Sequence, residues 1–237
     1  MKKQTAKRTR SGTKFSALGL IILAAVILIY YFTGGTFPQN SSLASASQPA
    51  TVAPNGQALQ VYYLDVGQAD CQLLFLPSGE TVMIDAGDRG TRQELVDYLR
   101  EQNIQKIDYL IATHPHADHI GGMADVVENF EIGKIIAPRI ADSQIPTTQT
   151  YEDLLSAVSA KGLKLSPATA GTVLIEQESL KLELLAPVLD EYSDLNNYSV
   201  VTKLTYGDTS FLFTGDAEAE AEEAILRAGY DLSLIHI

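Results

Sequence analysis

An α/β fold carried behind an N-terminal transmembrane helix is the architecture the sequence predicts, on three observations. Apolar, β-branched runs alternate with helical patterns through the middle of the chain and give way to a β-meander near its end. One such run, Ile107-Asp108-Tyr109-Leu110-Ile111-Ala112, leads straight into a loop holding three of the four histidines. Loops at the carboxyl ends of strands are where α/β folds place their chemistry. Third, no charged residue occurs from Phe15 to Leu64.

The N-terminal organisation follows from charge and hydropathy. Lys2, Lys3, Lys7, Arg8, Arg10 and Lys14 make residues 1–14 a basic cytoplasmic tail. Phe15–Phe32 is apolar or small throughout, about 27 Å long as a helix and close to the bilayer core. Tyr30 and Tyr31 suit the far interface, so the orientation is N-in, C-out, in a single-pass protein of the cell membrane with its catalytic domain outside the cytoplasm. The length of the run favours an uncleaved anchor over a signal peptide, whose cleavage would make the domain secreted. Residues 33–58, rich in Ser, Ala, Pro, Gly and Gln, read as a flexible linker.

The chain has 237 residues, one cysteine and a net charge of −12. Beyond the basic tail, 11 basic residues face 29 acidic ones, a net −18 that argues against a broad nucleic-acid-binding surface. Arg89, Arg92, Lys134 and Arg139 read as solvated surface charge rather than a basic patch. Cys71 lies in an apolar run and is expected to be a small buried residue, not a nucleophile.

Within the globular part, Leu59–Leu64, Asp70–Leu76 and Thr81–Ile84 are expected strands, with a turn at Pro77–Glu80. A helix is expected over about Thr91–Gln102, burying Leu95, Tyr98 and Leu99. The histidine strand and loop follow, then one helix to about Phe130, a strand at Lys134–Ala137, and a helix at Tyr151–Ala160 with Leu154, Leu155 and Val158 inward. The meander comprises Thr172–Ile175, Leu180–Leu185, Tyr198–Tyr206 and Ser210–Phe213, with Gly207-Asp208 as a hairpin turn. A last helix runs to about Arg227.

The histidine loop has metal-ligand spacing. His114 and His116, two apart in an extended segment, point the same way and can share one cation. Pro115 biases His114 toward extended backbone. Asp118 and His119 sit on the turn into the following helix, displaced enough to address a second cation or its water. Imidazole with carboxylate and no thiolate suits zinc, manganese or iron.

Four motifs in order now carry a resemblance: Leu64-Asp65-Val66-Gly67-Gln68-Ala69-Asp70, then Ile84-Asp85-Ala86-Gly87, the H-x-H-x-D-H loop, and Asn196-Asn197-Tyr198-Ser199-Val200-Val201 before Phe211-Leu212-Phe213-Thr214-Gly215-Asp216. Over residues 59–231 the chain resembles the metallo-β-lactamase superfamily, and more closely the hydrolase domain of ComEC-type competence (DNA-uptake) proteins. The resemblance implies an αββα sandwich and two divalent cations, Zn2+ or Mn2+. It implies His114 and His116 on the first metal, Asp118 and His119 on the second, and Asp216 bridging them. Asp118 would also hold or deprotonate the attacking water. Asp65 and Asp85 would support the ligands from behind, although Asp85, like Asp88, also fits an ordinary turn. No histidine lies between His119 and His236, where most members supply another ligand, so Asn197 or Ser199 is expected to face the site.

The end of the chain is read separately. Leu232–Ile237 back-translates as a transposon-end sequence common in sequencing adapters, so the gene is expected to continue past Asp231. The domain would then lack its C-terminal part, including a metal-binding histidine that His236 does not replace, and this fragment would be inactive. The function implied is metal-dependent hydrolysis of phosphodiesters, with nucleic acid as a substrate and no stable protein partner. The alternatives are hydrolysis of small esters, thioesters or lactams, and a membrane-tethered binding protein with a degraded site.

Overall fold

A computed structural model describes residues 58–233. The basic tail, the apolar run 15–32, nearly all of the linker and residues 234–237 lie outside the described residues. Among the described residues no helix is long and apolar enough to cross a membrane.

The first sheet has six strands in sequence order. β1 (Gln60–Tyr63), β2 (Gln72–Phe75) and β3 (Thr81–Ile84) are antiparallel neighbours joined by short connections. β4 (Lys106–Ile111), β5 (Glu131–Ala137) and β6 (Leu165–Pro167) then add in parallel. Parallel pairing requires crossovers, which helices supply: α1 (Arg92–Glu101) before β4, α2 (Ala117–Ile120) and α3 (Met123–Asn129) before β5, and α4 (Gln149–Ala160) before β6. The second sheet is antiparallel, in the order β10 (Thr209–Phe213), β9 (Thr202–Tyr206), β8 (Leu180–Leu184), β7 (Val173–Gln177). α5 (Ala219–Ala228) follows it.

The central strands are apolar on both faces because both faces are covered. Leu73, Met83, Leu110 and Ile135 pack with Leu95, Leu99, Val126 and Leu154 of the helical layer. Their neighbours Leu74, Val82, Ile84, Ile111 and Ile136 point the other way, onto Leu182, Leu184, Leu204 and Phe213 of the second sheet. Ile225 of α5 joins Val201 and Leu185 on that sheet's outer face. The layers are therefore helices, sheet, sheet, helix, the expected αββα sandwich.

Several expectations need correction. β6 was not foreseen: it is three residues long and ends in a proline, which only an edge strand tolerates. The helix after the histidine loop is broken in two at Gly121 and Gly122, which pass against the chain at 86–89. Leu155 is 40% exposed; Leu154, Ala157 and Val158 form the buried stripe of α4. Tyr198 belongs to a 3-10 turn over Leu195–Tyr198, not to a strand, and β9 begins only at Thr202.

Candidate metal centre

β3, β4 and β5 end in register, with Ile84 beside Ile111 and Ile111 beside Ile136. The loops that follow therefore leave one edge of the sheet together. Backbone hydrogen bonds lace the loops after β3 and β4 to each other and to the loop between β1 and β2. Asp70 N–H donates to Asp118 O (3.1 Å), Ala86 N–H to His119 O (2.7 Å), Gly87 N–H to Asp70 O (2.9 Å) and Gly121 N–H to Gly87 O (2.8 Å). The second sheet joins through Val200 N–H, which donates to Thr113 O at 2.9 Å.

Asp85 ends β3 with φ 57, a conformation costly for a side-chain-bearing residue and concentrated at functional sites. Its carboxylate is wholly buried and accepts from Thr113 N–H (2.8 Å), Thr113 Oγ1 (2.6 Å) and His119 Nδ1 (2.8 Å). Burial pushes this carboxyl above the usual range, against the pull of His119 and Thr113. With Nδ1 committed to Asp85, His119 turns Nε2 outward, to 3.3 Å from Asp216 Oδ1 and 3.9 Å from Asp118 Oδ2.

His114 Nε2 lies 3.0 Å from His116 Nδ1 and 4.0 Å from Asp216 Oδ2. The two oxygens of Asp216 thus approach different histidines, one on each side. Behind His114, Ser199 Oγ stands 3.4 Å from Nδ1 and accepts Asp216 N–H at 3.2 Å. Gly215 turns the chain into Asp216 with φ 50, and a Cβ there would lie 2.8 Å from Thr113 Cβ. Only glycine fits.

This gathering of imidazole and carboxylate donors fits a divalent cation. His119 Nε2, oriented by the Asp85 bond, faces a carboxylate oxygen 3.3 Å away. Two acceptors so placed require a proton or a cation between them. His114 and His116 present ring nitrogens toward each other in the same way. His114, His119 and Asp216 have donor atoms mutually within 4.8 Å.

In the metal-free chain the two buried rings titrate apart. Burial, then the charges of His119 and His116, push His114 down to about 3, so it is the neutral imidazole that metals bind. Burial also works against His119, but the Asp85 hydrogen bond and charge, with Asp216 and Asp118, outweigh it and lift His119 to about 9. The His119 contribution to stability is full below the unfolded value of 6.5 and is lost as pH rises through about 9. That of His114 is full above 6.5 and is lost as pH falls toward about 3. The chelated protein is therefore expected to resist urea best near neutral pH; a midpoint rising steadily past pH 9 would contradict this.

The remaining residues divide. Asp118, with its side chain 48% exposed, stands at the open side of the cluster. Asp65 is exposed and its carboxylate accepts Gly67 N–H at 3.3 Å, closing its own turn rather than supporting a histidine. Asp70, which sequence reasoning passed over, takes the inner place: its carboxylate lies within 4.8 Å of donor atoms of Asp85 and His119. Asp88 is a turn residue, accepting Gly90 N–H at 2.8 Å. Asn197 also faces away from the cluster. Its Oδ1 accepts Glu218 N–H (3.1 Å) and Ala221 N–H (3.2 Å), capping α5 from another element. Cys71 is buried, and desolvation with the nearby Asp85 and Asp70 pushes its thiol up, so no thiolate is available.

Several known proteins are similar to the chain. ComE operon protein 3 of Bacillus subtilis (strain 168) is 26% identical over 186 residues, covering 70% of this chain and 23% of that protein. The uncharacterized protein YcaI of Escherichia coli (strain K12) is 26% identical over 184 residues, 75% of this chain and 21% of that one. Ribonuclease J of Synechocystis sp. is 37% identical over 98 residues, 36% of this chain and 15% of that protein. The chain thus spans less than a quarter of the length of these relatives. The sequence model of one family, described as the metallo-beta-lactamase superfamily, matches residues 64–234, from the first aspartate motif past the end of α5, and to that superfamily the chain belongs.

Proposed function

We propose that the chain is a metal-dependent hydrolase of phosphodiesters, DNA among them, at the outer face of a membrane in which residues 15–32 anchor it. One observation carries the hydrolase reading. The Asp216 carboxylate sets one oxygen 3.3 Å from His119 Nε2 and the other 4.0 Å from His114 Nε2, so this one side chain would serve both histidines in holding metal. His114 and His116 would hold one Zn2+ or Mn2+, Asp118 and His119 the other. When bound, such a pair lowers the pKa of a water and offsets charge on the attacked centre.

The chain's own groups prepare that reaction. Asp85 and Thr113 fix the His119 ring, and burial keeps His114 neutral. Asp118, on the exposed side, would receive a proton from water. Likeness over 98 residues to a ribonuclease supports phosphodiesters as substrates. The uncharged run 15–32 supports the anchor.

The test uses the full-length product of the gene, its 3′ end read from an independent clone. Hydrolysis of bis(p-nitrophenyl) phosphate, linear DNA and a carboxyl ester is measured with Mn2+ or Zn2+, beside His116→Ala. Metal-dependent diester turnover that disappears in the variant is expected. Ester turnover alone would replace the phosphodiester reading, and bound metal without turnover would make the chain a tethered binding protein.

A further inference from the structure

We infer that a groove beside the metal centre, walled by the loops after β5, β6 and β8, is a subsite for one additional phosphate of a nucleotide ligand, with Arg139 as its cation. This rests on the phosphodiester reading above and narrows it to ligands with a single further phosphate.

Topology puts the groove next to the cluster. β4, β5 and β6 are parallel, so the loops after β5 and β6 leave the sheet edge from which the histidine loop leaves. β8 ends at the same side, since Leu184 pairs with Thr202 and Val200 N–H reaches Thr113 O. The groove encloses about 720 Å3, within the range of small-ligand sites. Ile140 lines both the groove and the small space behind His114 and Pro115.

Its walls are set in advance. Tyr192 Oη accepts Val188 N–H at 2.9 Å and Leu189 N–H at 3.0 Å, holding the loop after β8 in place. Tyr192 O in turn accepts Gln144 Nε2 at 3.0 Å, tying that loop to the one after β5. Ligand binding therefore need not order either loop.

Charge selects the ligand. Arg89 and Arg92 are engaged with Asp153 and Asp125. Arg139 is exposed and makes no ion pair among the described residues, and it is the groove's one cation. Asp142, Asp190 and Glu191 line the same space. One phosphate can seat on the guanidinium, where a planar fork of donors matches it. A run of phosphates would meet the three carboxylates and be repelled. Pro187 and Leu189 offer an apolar wall for a sugar or base. The arrangement suits a short nucleotidyl diester or a strand terminus, not the interior of a long polymer.

Calorimetry on the full-length protein tests this directly, with thymidine 5′-monophosphate and thymidine 3′,5′-bisphosphate as probes. The bisphosphate is expected to bind about tenfold more tightly, and Arg139→Ala to erase that gain while leaving monophosphate binding unchanged. A gain that is absent, or that survives in the variant, overturns the subsite. Competition separates a single subsite from a polymer track: an oligonucleotide that competes better as it lengthens also overturns the proposal. Turnover of p-nitrophenyl thymidine 5′-phosphate is followed in parallel. Turnover without a bisphosphate gain defeats the subsite alone. A gain without turnover defeats the hydrolase reading and retains the subsite.

Discussion

Asp216→Asn is expected to lower metal-dependent turnover on the order of a thousandfold or more, with at least one of the two cations lost from the purified protein. The substitution keeps size and shape but removes the charge and one acceptor oxygen. Whichever way the amide settles, its NH2 faces a ring nitrogen, His119 Nε2 on one side or His114 Nε2 on the other. It would donate a hydrogen bond where a cation should sit, stabilising the metal-free state. Asp216 N–H still reaches Ser199 Oγ, so the loop should keep its course. Elemental analysis beside turnover decides the matter. Two metals per chain with near-normal rates would remove Asp216 from the bridging role.

Gly121→Ala carries the largest expected loss of stability, about 3 kcal/mol or more, a large part of the 5–15 kcal/mol typical of a domain. An added Cβ would press on Ala117 O and Arg89 N and lie 2.5 Å from Asp88 C, all of them backbone atoms. No side chain can swing aside to relieve this. Moving the 86–89 loop would also break the Gly121 N–H bond to Gly87 O and disturb Asp85 behind His119. Gly90→Ala is the control: its Cβ would meet only the Asp88 carboxylate, at 3.2 Å, and should cost about 1 kcal/mol or less. Urea midpoints of both variants test the contrast, and equal midpoints would show that the loops yield more readily than their packing suggests.

The order of strands and helices was legible because strands covered on both faces must be continuously apolar, as Thr81–Ile84 and Ile107–Ala112 are. The nearness of His114, His116 and His119 was legible because they are close in sequence; Asp216 joins them only through the fold. The exceptions share a cause. Asn197 and Ser199 stand as alternatives on the resemblance alone, and the 3-10 turn at Leu195–Tyr198 sends their side chains to different places. Ser199 therefore meets His114 while Asn197 meets α5. Asp65 and Asp70 stand in one motif, and only the fold tells which faces inward. Asp70 is held by backbone bonds to Asp118 and Gly87, and Asp65 is spent on its own turn. Which arginines pair is likewise set by the fold: Arg89 meets Asp153 and Arg92 meets Asp125, residues far apart in sequence.

The cap on α5 has a mechanical consequence. The amides that open this helix end on Asn197, and two residues later Ser199 holds the amide of Asp216 and stands behind His114. Fraying of the first turn of α5 thus releases the short segment that braces the bridging carboxylate, although the helix contributes no ligand. The outer layer of the sandwich is thereby tied, through Asn197 and Ser199, to the backbone that carries Asp216.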